Sequence, residues 1–153
     1  MKTEIVFILD RSGSMAGLEK DTIGGYNAML KKQKQLAEHV TVTTVLFDDE
    51  YKLLHDRIDI NGIAHMTEKE YEVRGATALL DAIGKSILKM EQVQNATLQE
   101  ERAEKVLFII TTDGEENASV EFTYKKIKKL IERQKERGWE FIFLGANIDA
   151  IGE

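Results

Sequence analysis

The chain has 153 residues, with 21 Lys and Arg against 27 Asp and Glu, for a net charge of −6. That balance excludes a generally basic nucleic-acid binder, and 42% hydrophobic residues suit a folded domain rather than a disordered one. With no Cys, disulfides, thiolate metal sites and Cys nucleophiles are excluded. No Pro occurs, so Pro-rich linkers are absent too. The first apolar run, Ile5 to Leu9, is too short to span a membrane or form a signal-peptide core. A single cytoplasmic domain over 1–153 is expected, with no nucleic-acid or membrane partner.

Glu4 to Leu9 is an apolar, β-branched and aromatic run that reads as a buried strand. A polar loop, Asp10 to Gly17, follows. Leu18 to His39 has helical spacing, with Ile23, Tyr26, Met29, Leu30, Gln33, Leu36, Ala37 and Val40 on one face. Gly24 and Gly25 weaken this helix and are expected to let it pack close to a sheet. Val40 to Phe47 is a strand, Asp48 to Glu50 a turn, and Tyr51 to Ile60 a returning antiparallel strand. Asn61 to Gly75 is a loop with one short helix. Ala78 to Val93 is helical, with Leu79, Leu80, Ile83, Ile87, Met90 and Val93 inward. Asn95 to Glu104 is polar, a solvated loop or a helical extension.

Lys105 to Thr112 is a second buried strand. Ser119 to Arg137 has helical spacing, with Val120, Tyr124, Ile127, Leu130, Ile131 and Gln134 inward. Gly138 stands at its C′ position. Trp139 to Leu144 is the last strand, and Gly145 to Glu153 a loop that begins another helix. Strands alternating with amphipathic helices specify an α/β, Rossmann-like doubly wound sheet, mostly parallel, with helices on both faces. Tyr51 to Ile60 is its one antiparallel edge strand. Trp139 to Leu144 is expected at an exposed edge, where a weak dimer could form beside the monomer.

Three loops follow from this order at the carboxyl end of the sheet, where open α/β sheets bind ligands. The first holds Asp10, Ser12 and Ser14, alternating around Gly13. The second holds Thr77, just ahead of a helix, where it could also serve as an N-cap. The third holds Asp113. All five side chains are hard oxygen donors, which favours Mg²⁺ or Mn²⁺, with Ca²⁺ admissible, over Zn²⁺ or Cu²⁺. Two carboxylates just neutralise a divalent ion and three hydroxyls leave it electrophilic. A carboxylate from a partner protein is then the expected further ligand.

These residues resemble a von Willebrand factor type A (vWA) domain. Ile5 to Met15 carries the Asp-x-Ser-x-Ser motif, Gly75 to Ile83 the threonine loop, and Ile109 to Gly114 the aspartate loop. The resemblance implies a metal-ion-dependent adhesion site in which Asp10, Ser12, Ser14, Thr77 and Asp113 hold the cation. It also implies the strand order 3-2-1-4-5 and a non-enzymatic protein-interaction module of the compact intracellular bacterial or phage type. The helix and strand that usually follow the Gly145 region in that family are expected to be lacking.

Other residues admit two readings. Glu115, Glu116 and Asn117 are solvated turn residues or a rim selecting a basic surface. Asp81 is a first-turn carboxylate or a group bonded to the site loops. Arg11, Met15 and Arg74 contact a partner, or Arg74 neutralises nearby acids. His39, His55 and His65 have no ligand spacing and read as surface or capping residues. Lys125, Lys126, Lys128 and Lys129 read as a solvated helix face. The alternative function is a Mg²⁺-dependent phosphohydrolase of the haloacid dehalogenase type. It requires a second Asp where Ser12 stands and a Lys near the site, which Lys105 and Lys125 do not supply.

Overall fold

A computed structural model describes residues 2–36, 39–113 and 116–145. Among these residues, five strands and three α-helices follow one another in the order expected. They are β1 (Lys2–Asp10), α1 (Glu19–Leu36), β2 (His39–Phe47), β3 (Tyr51–Asp59), α2 (Leu79–Ala96), β4 (Lys105–Thr111), α3 (Tyr124–Glu136) and β5 (Glu140–Leu144). The sheet order is β3-β2-β1-β4-β5. Among the described strands only the β2–β3 pair is antiparallel, joined by the turn at Asp48 to Glu50. β1 lies at the centre, and eight of its nine residues are buried, which explains its unbroken apolar run.

The period-2 alternation of β1 feeds two cores. Val6 and Ile8 pack with Val45, Phe108 and Ile110 against α2 and α3, chiefly through Leu79, Ile83, Ile87, Ile127 and Ile131. Ile5, Phe7 and Leu9 face the other way, toward Tyr26 and Leu30 of α1. The segment after β3 completes this second core with Ile63, Met66 and Tyr71. It is tied to α1 by a reciprocal pair: Asn27 donates to the Met66 carbonyl at 3.0 Å and accepts the Met66 amide at 2.7 Å.

Several expectations are corrected. α1 ends before His39, and Val40 is a buried strand residue. Leu36 is exposed, so the inward face of α1 is narrower than its spacing suggests. A Cβ placed on Gly24 or Gly25 meets nothing within 4 Å, so neither glycine mediates close packing. The Asn61 to Gly75 stretch has no α-helix, only a 3-10 turn at Ile60–Gly62. α2 runs on to Ala96, and a 3-10 turn at Gln99–Glu101 leads into β4. α3 begins at Tyr124, five residues later than Ser119. Val120 is therefore not inward, and it is 89% exposed. Tyr124 is exposed as well.

The end of α3 follows the sequence. Gly138 has a φ of +92° and donates to the Lys135 carbonyl, while Trp139 donates to that of Gln134. This paired Schellman closure is why glycine stands there. It turns Trp139 inward to stack on Phe108, ring centroids 5.7 Å apart. β5 forms one edge of the described sheet, and its Ile142 and Leu144 are each 38% exposed. The helix start expected after Gly145 lies outside the described residues. Among those described, no helix is long and apolar enough to cross a membrane.

Candidate functional site

β1 and β4 are adjacent and parallel, so Asp10 and Asp113 leave the same end of the sheet. The Asp10 side chain is fully buried. One carboxylate oxygen accepts the Ser12 amide at 2.8 Å, and the other accepts the Thr112 hydroxyl at 2.8 Å. The Asp10 carbonyl accepts the hydroxyl of buried Tyr71. Burial pushes the Asp10 carboxyl above the usual range; the Ser12 and Thr112 bonds oppose that, and the charge of Asp113 adds to it. Among the described residues no basic side chain forms an ion pair with Asp10.

The Ser12 and Ser14 hydroxyls lie 3.0 Å apart. Gly13 donates its amide to the Gly75 carbonyl at 2.9 Å, and Arg74 donates to the Arg11 carbonyl at 2.7 Å. The first and second loops are thus stitched through their backbones. Thr77 is 1% exposed at the start of α2. It is not the N-cap: Ala78 holds that position and makes no side-chain capping bond. The third loop does the capping instead. Asn117 Oδ1 accepts the Thr77 amide at 2.8 Å, and Glu116 Oε1 accepts the Leu80 amide at 2.7 Å. In return the Thr77 carbonyl accepts the amides of Asn117 and Ala118. The Thr77 hydroxyl is thereby not spent on capping.

The structure thus gathers the three loops bearing Asp10, Ser12, Ser14, Thr77 and Asp113 at one end of the sheet. It assigns their neighbours differently from the sequence reading. Glu116, half-buried, and Asn117, exposed, spend their side-chain oxygens on capping α2 rather than forming a rim, and Glu115 lies outside the described residues. Arg11 and Met15 are buried and offer no partner contact. Arg74 neutralises acids, bonding Asp48 at 3.0 Å and Glu50 at 2.7 Å. Asp81 is bonded to the site loop: its amide donates to Ser119 Oγ at 2.9 Å, and its carboxylate accepts the amides of Val120, Glu121 and Phe122. His39 and His65 are exposed, as expected. His55 is half-buried against the Thr44 hydroxyl at 2.9 Å.

Asp48 is the residue the sequence reading overlooked. It is fully buried and receives both Arg11, at 3.4 Å, and Arg74. Its carbonyl accepts the Ala78 amide at 2.8 Å. A hairpin turn thus braces both loops. Gly75, with a φ of +71°, leaves room for this: a Cβ there would lie 2.3 Å from Asp49 Oδ1 and 2.5 Å from Asp48 Oδ2. Nothing local marks it in the sequence: it is one of three consecutive turn acids, 37 and 26 positions away from the two arginines.

The donor set can be tested for fit to a hard divalent cation. It contains two carboxylates and three hydroxyls, with no His or Cys among the five. Among the described residues no group of three or more His, Cys, Asp or Glu side chains is placed to hold a metal. Any cation here would therefore depend on the hydroxyls. Two features fit it: an acid at Asp10 that is buried with no basic partner among the described residues, and a second acid close enough to perturb it.

The chain matches no family model and no curated protein sequence. Solved structures do match it. The manganese-loaded TRAP protein of Plasmodium vivax aligns over 98% of this chain and 61% of its own, with a TM-score of 0.70 and 20% identity. A von Willebrand factor type A protein of Catenulispora acidiphila aligns over 94% of this chain and 33% of its own, with a TM-score of 0.61 and 15% identity. The PilB minor pilin of Streptococcus sanguinis aligns over 74% of this chain and 30% of its own, with a TM-score of 0.58 and 18% identity. The chain therefore spans between 30% and 61% of these three proteins. Strand order, the single antiparallel pair and these alignments together give the chain a vWA-like fold.

Proposed function

We propose that the chain is a non-enzymatic protein-interaction module that takes a divalent cation, Mg²⁺ or Mn²⁺ before Ca²⁺, at Asp10, Ser12, Ser14, Thr77 and Asp113. The observation that carries this reading is the buried Asp10 carboxylate, which has no basic partner among the described residues and lies under the influence of Asp113. The bonds from Ser12 and Thr112 offset only part of the cost of burying that charge, and a cation at the mouth of the site would offset more. The basic groups nearest the loops, Arg11 and Arg74, are already committed to Asp48. The manganese-loaded state of the TRAP structure, which shares the fold, agrees with the choice of a hard ion.

When bound, the cation supplies an electrophilic position for a carboxylate of a partner protein. The chain's own residues supply the rest. Asp10 and Asp113 provide charge, the Ser12, Ser14 and Thr77 hydroxyls provide neutral donors, and Asp48 and Glu116 hold their loops in place. Calorimetric titration with Mg²⁺ and Mn²⁺ tests the reading. One divalent ion per wild-type chain, and none for Asp10→Ala, is the expected result. Absence of divalent uptake by the wild type would overturn it.

A further inference from the structure

A second surface lies on the side of the molecule formed by α2 and α3. Gly84 and Leu88 are one turn apart on the same stripe of α2. The Phe122 ring covers the Gly84 turn so closely that a Cβ there would lie 2.6 Å from three ring carbons. The next turn, at Leu88, has no such cover, and Leu88 is 42% exposed. A groove of about 330 Å³ continues over it, lined by Leu88, Phe122, Lys126, Lys129, Leu130 and Arg133. The four α3 residues fall at i, i+3, i+4 and i+7, so they form one continuous wall.

The charge of that wall is opposite to that of the chain. α3 carries six basic and two acidic side chains, in a protein of net charge −6. Arg133 is held by Glu91, and Lys85 across the groove by Glu121. Among the described residues, Lys126 and Lys129 form no ion pair. The groove thus has an apolar floor and two uncommitted cations on its rim.

We propose that the α2–α3 groove docks an acidic segment of a partner protein, one that places an apolar side chain over Leu88 as Phe122 is placed over Gly84, with its carboxylates against Lys126 and Lys129. Charge complementarity selects this occupant: a second copy of an acidic chain is repelled overall, and a purely polar anion leaves the Leu88 floor unused. The surface is separate from the candidate cation site and does not depend on it.

The probe is a fluorescein-labelled helical peptide with leucines at i, i+3 and i+7 among glutamates, titrated by anisotropy against the full chain in chelator. Binding is expected, with about tenfold loss in Lys126→Glu/Lys129→Glu and a comparable loss in Leu88→Ser. Lys125→Glu/Lys128→Glu makes the same charge change off the groove and is expected to cost under about threefold. Lys126→Gln/Lys129→Gln, with folding checked by circular dichroism, guards against a fold defect from charge reversal. Equal losses in the two charge-reversal pairs would overturn the proposal, as would equal binding of a peptide with glutamine for leucine. So would no peptide binding alongside Lys126-dependent binding to phosphatidylglycerol vesicles, or Leu88-dependent self-association in sedimentation.

Discussion

The Asp81 carboxylate accepts the Phe122 amide at 2.9 Å across 41 positions of chain. The same carboxylate takes the amides of Val120 and Glu121 at 2.8 and 3.0 Å. One side chain at the start of α2 therefore ties down the stretch between the candidate site and α3. Asp81→Ala should strand three amides and cost about 3 kcal/mol. Thermal unfolding will show the loss, and hydrogen exchange should rise first over residues 119–122.

Asp10 is expected to behave in opposite ways with and without cation. In chelator, Asp10→Asn removes a buried charge while keeping the side-chain shape, so the variant should be at least as stable as the wild type. Under saturating Mg²⁺ the order should reverse, because only the wild type gains from the ion. At a hundredfold excess over the dissociation constant that gain is about 2.7 kcal/mol. Melting curves with and without Mg²⁺ check both halves. A Mg²⁺ shift retained in Asp10→Asn would contradict the assignment.

Gly75 should tolerate no side chain. Its φ of +71° disfavours L-residues, and a Cβ would collide with the carboxylates of Asp48 and Asp49. Gly75→Ala is expected to cost about 2–4 kcal/mol. Gly24→Ala, in an exposed helix with open space around it, is expected to stabilise by up to about 1 kcal/mol. Denaturant midpoints of the two variants should therefore move in opposite directions.

His55 gives a pH dependence of defined sign. Burial holds its imidazole below the usual 6.5, against an opposing pull from Glu70. The native state then binds fewer protons at this site than the unfolded chain does. The resulting stability is complete above about 6.5 and is lost as the pH falls through the lower native value. Between about pH 7.5 and about pH 5.5, the urea midpoint of the wild type should fall more than that of His55→Gln. An equal fall in both proteins would exclude His55 as the source.

Strand identity was legible wherever burial on both faces produced an unbroken apolar run, as at Ile5 to Leu9 and Val106 to Ile110. The three loops were legible because each follows such a strand or precedes a helix. Residues 119–123 were not. Val120 and Tyr124 have helical spacing, but that spacing is local, whereas the group that captures the amides of 120–122 is Asp81. Capping of α2 was hidden for the same reason. Thr77 stands in the expected place, yet Glu116 and Asn117 arrive from another loop and do the work. Asp48 looked like one turn acid among three, and only the fold brings both arginines to it.

The Asp48 brace has a consequence for how far this protein can be altered. Hairpin tips ordinarily accept insertions because little else depends on them. Here the tip between β2 and β3 holds Arg11, Arg74 and the entry to α2 at once. Lengthening it by even one residue would unlace both neighbouring loops, so a tag or grafted epitope belongs at the opposite pole, around the exposed Leu98 before β4.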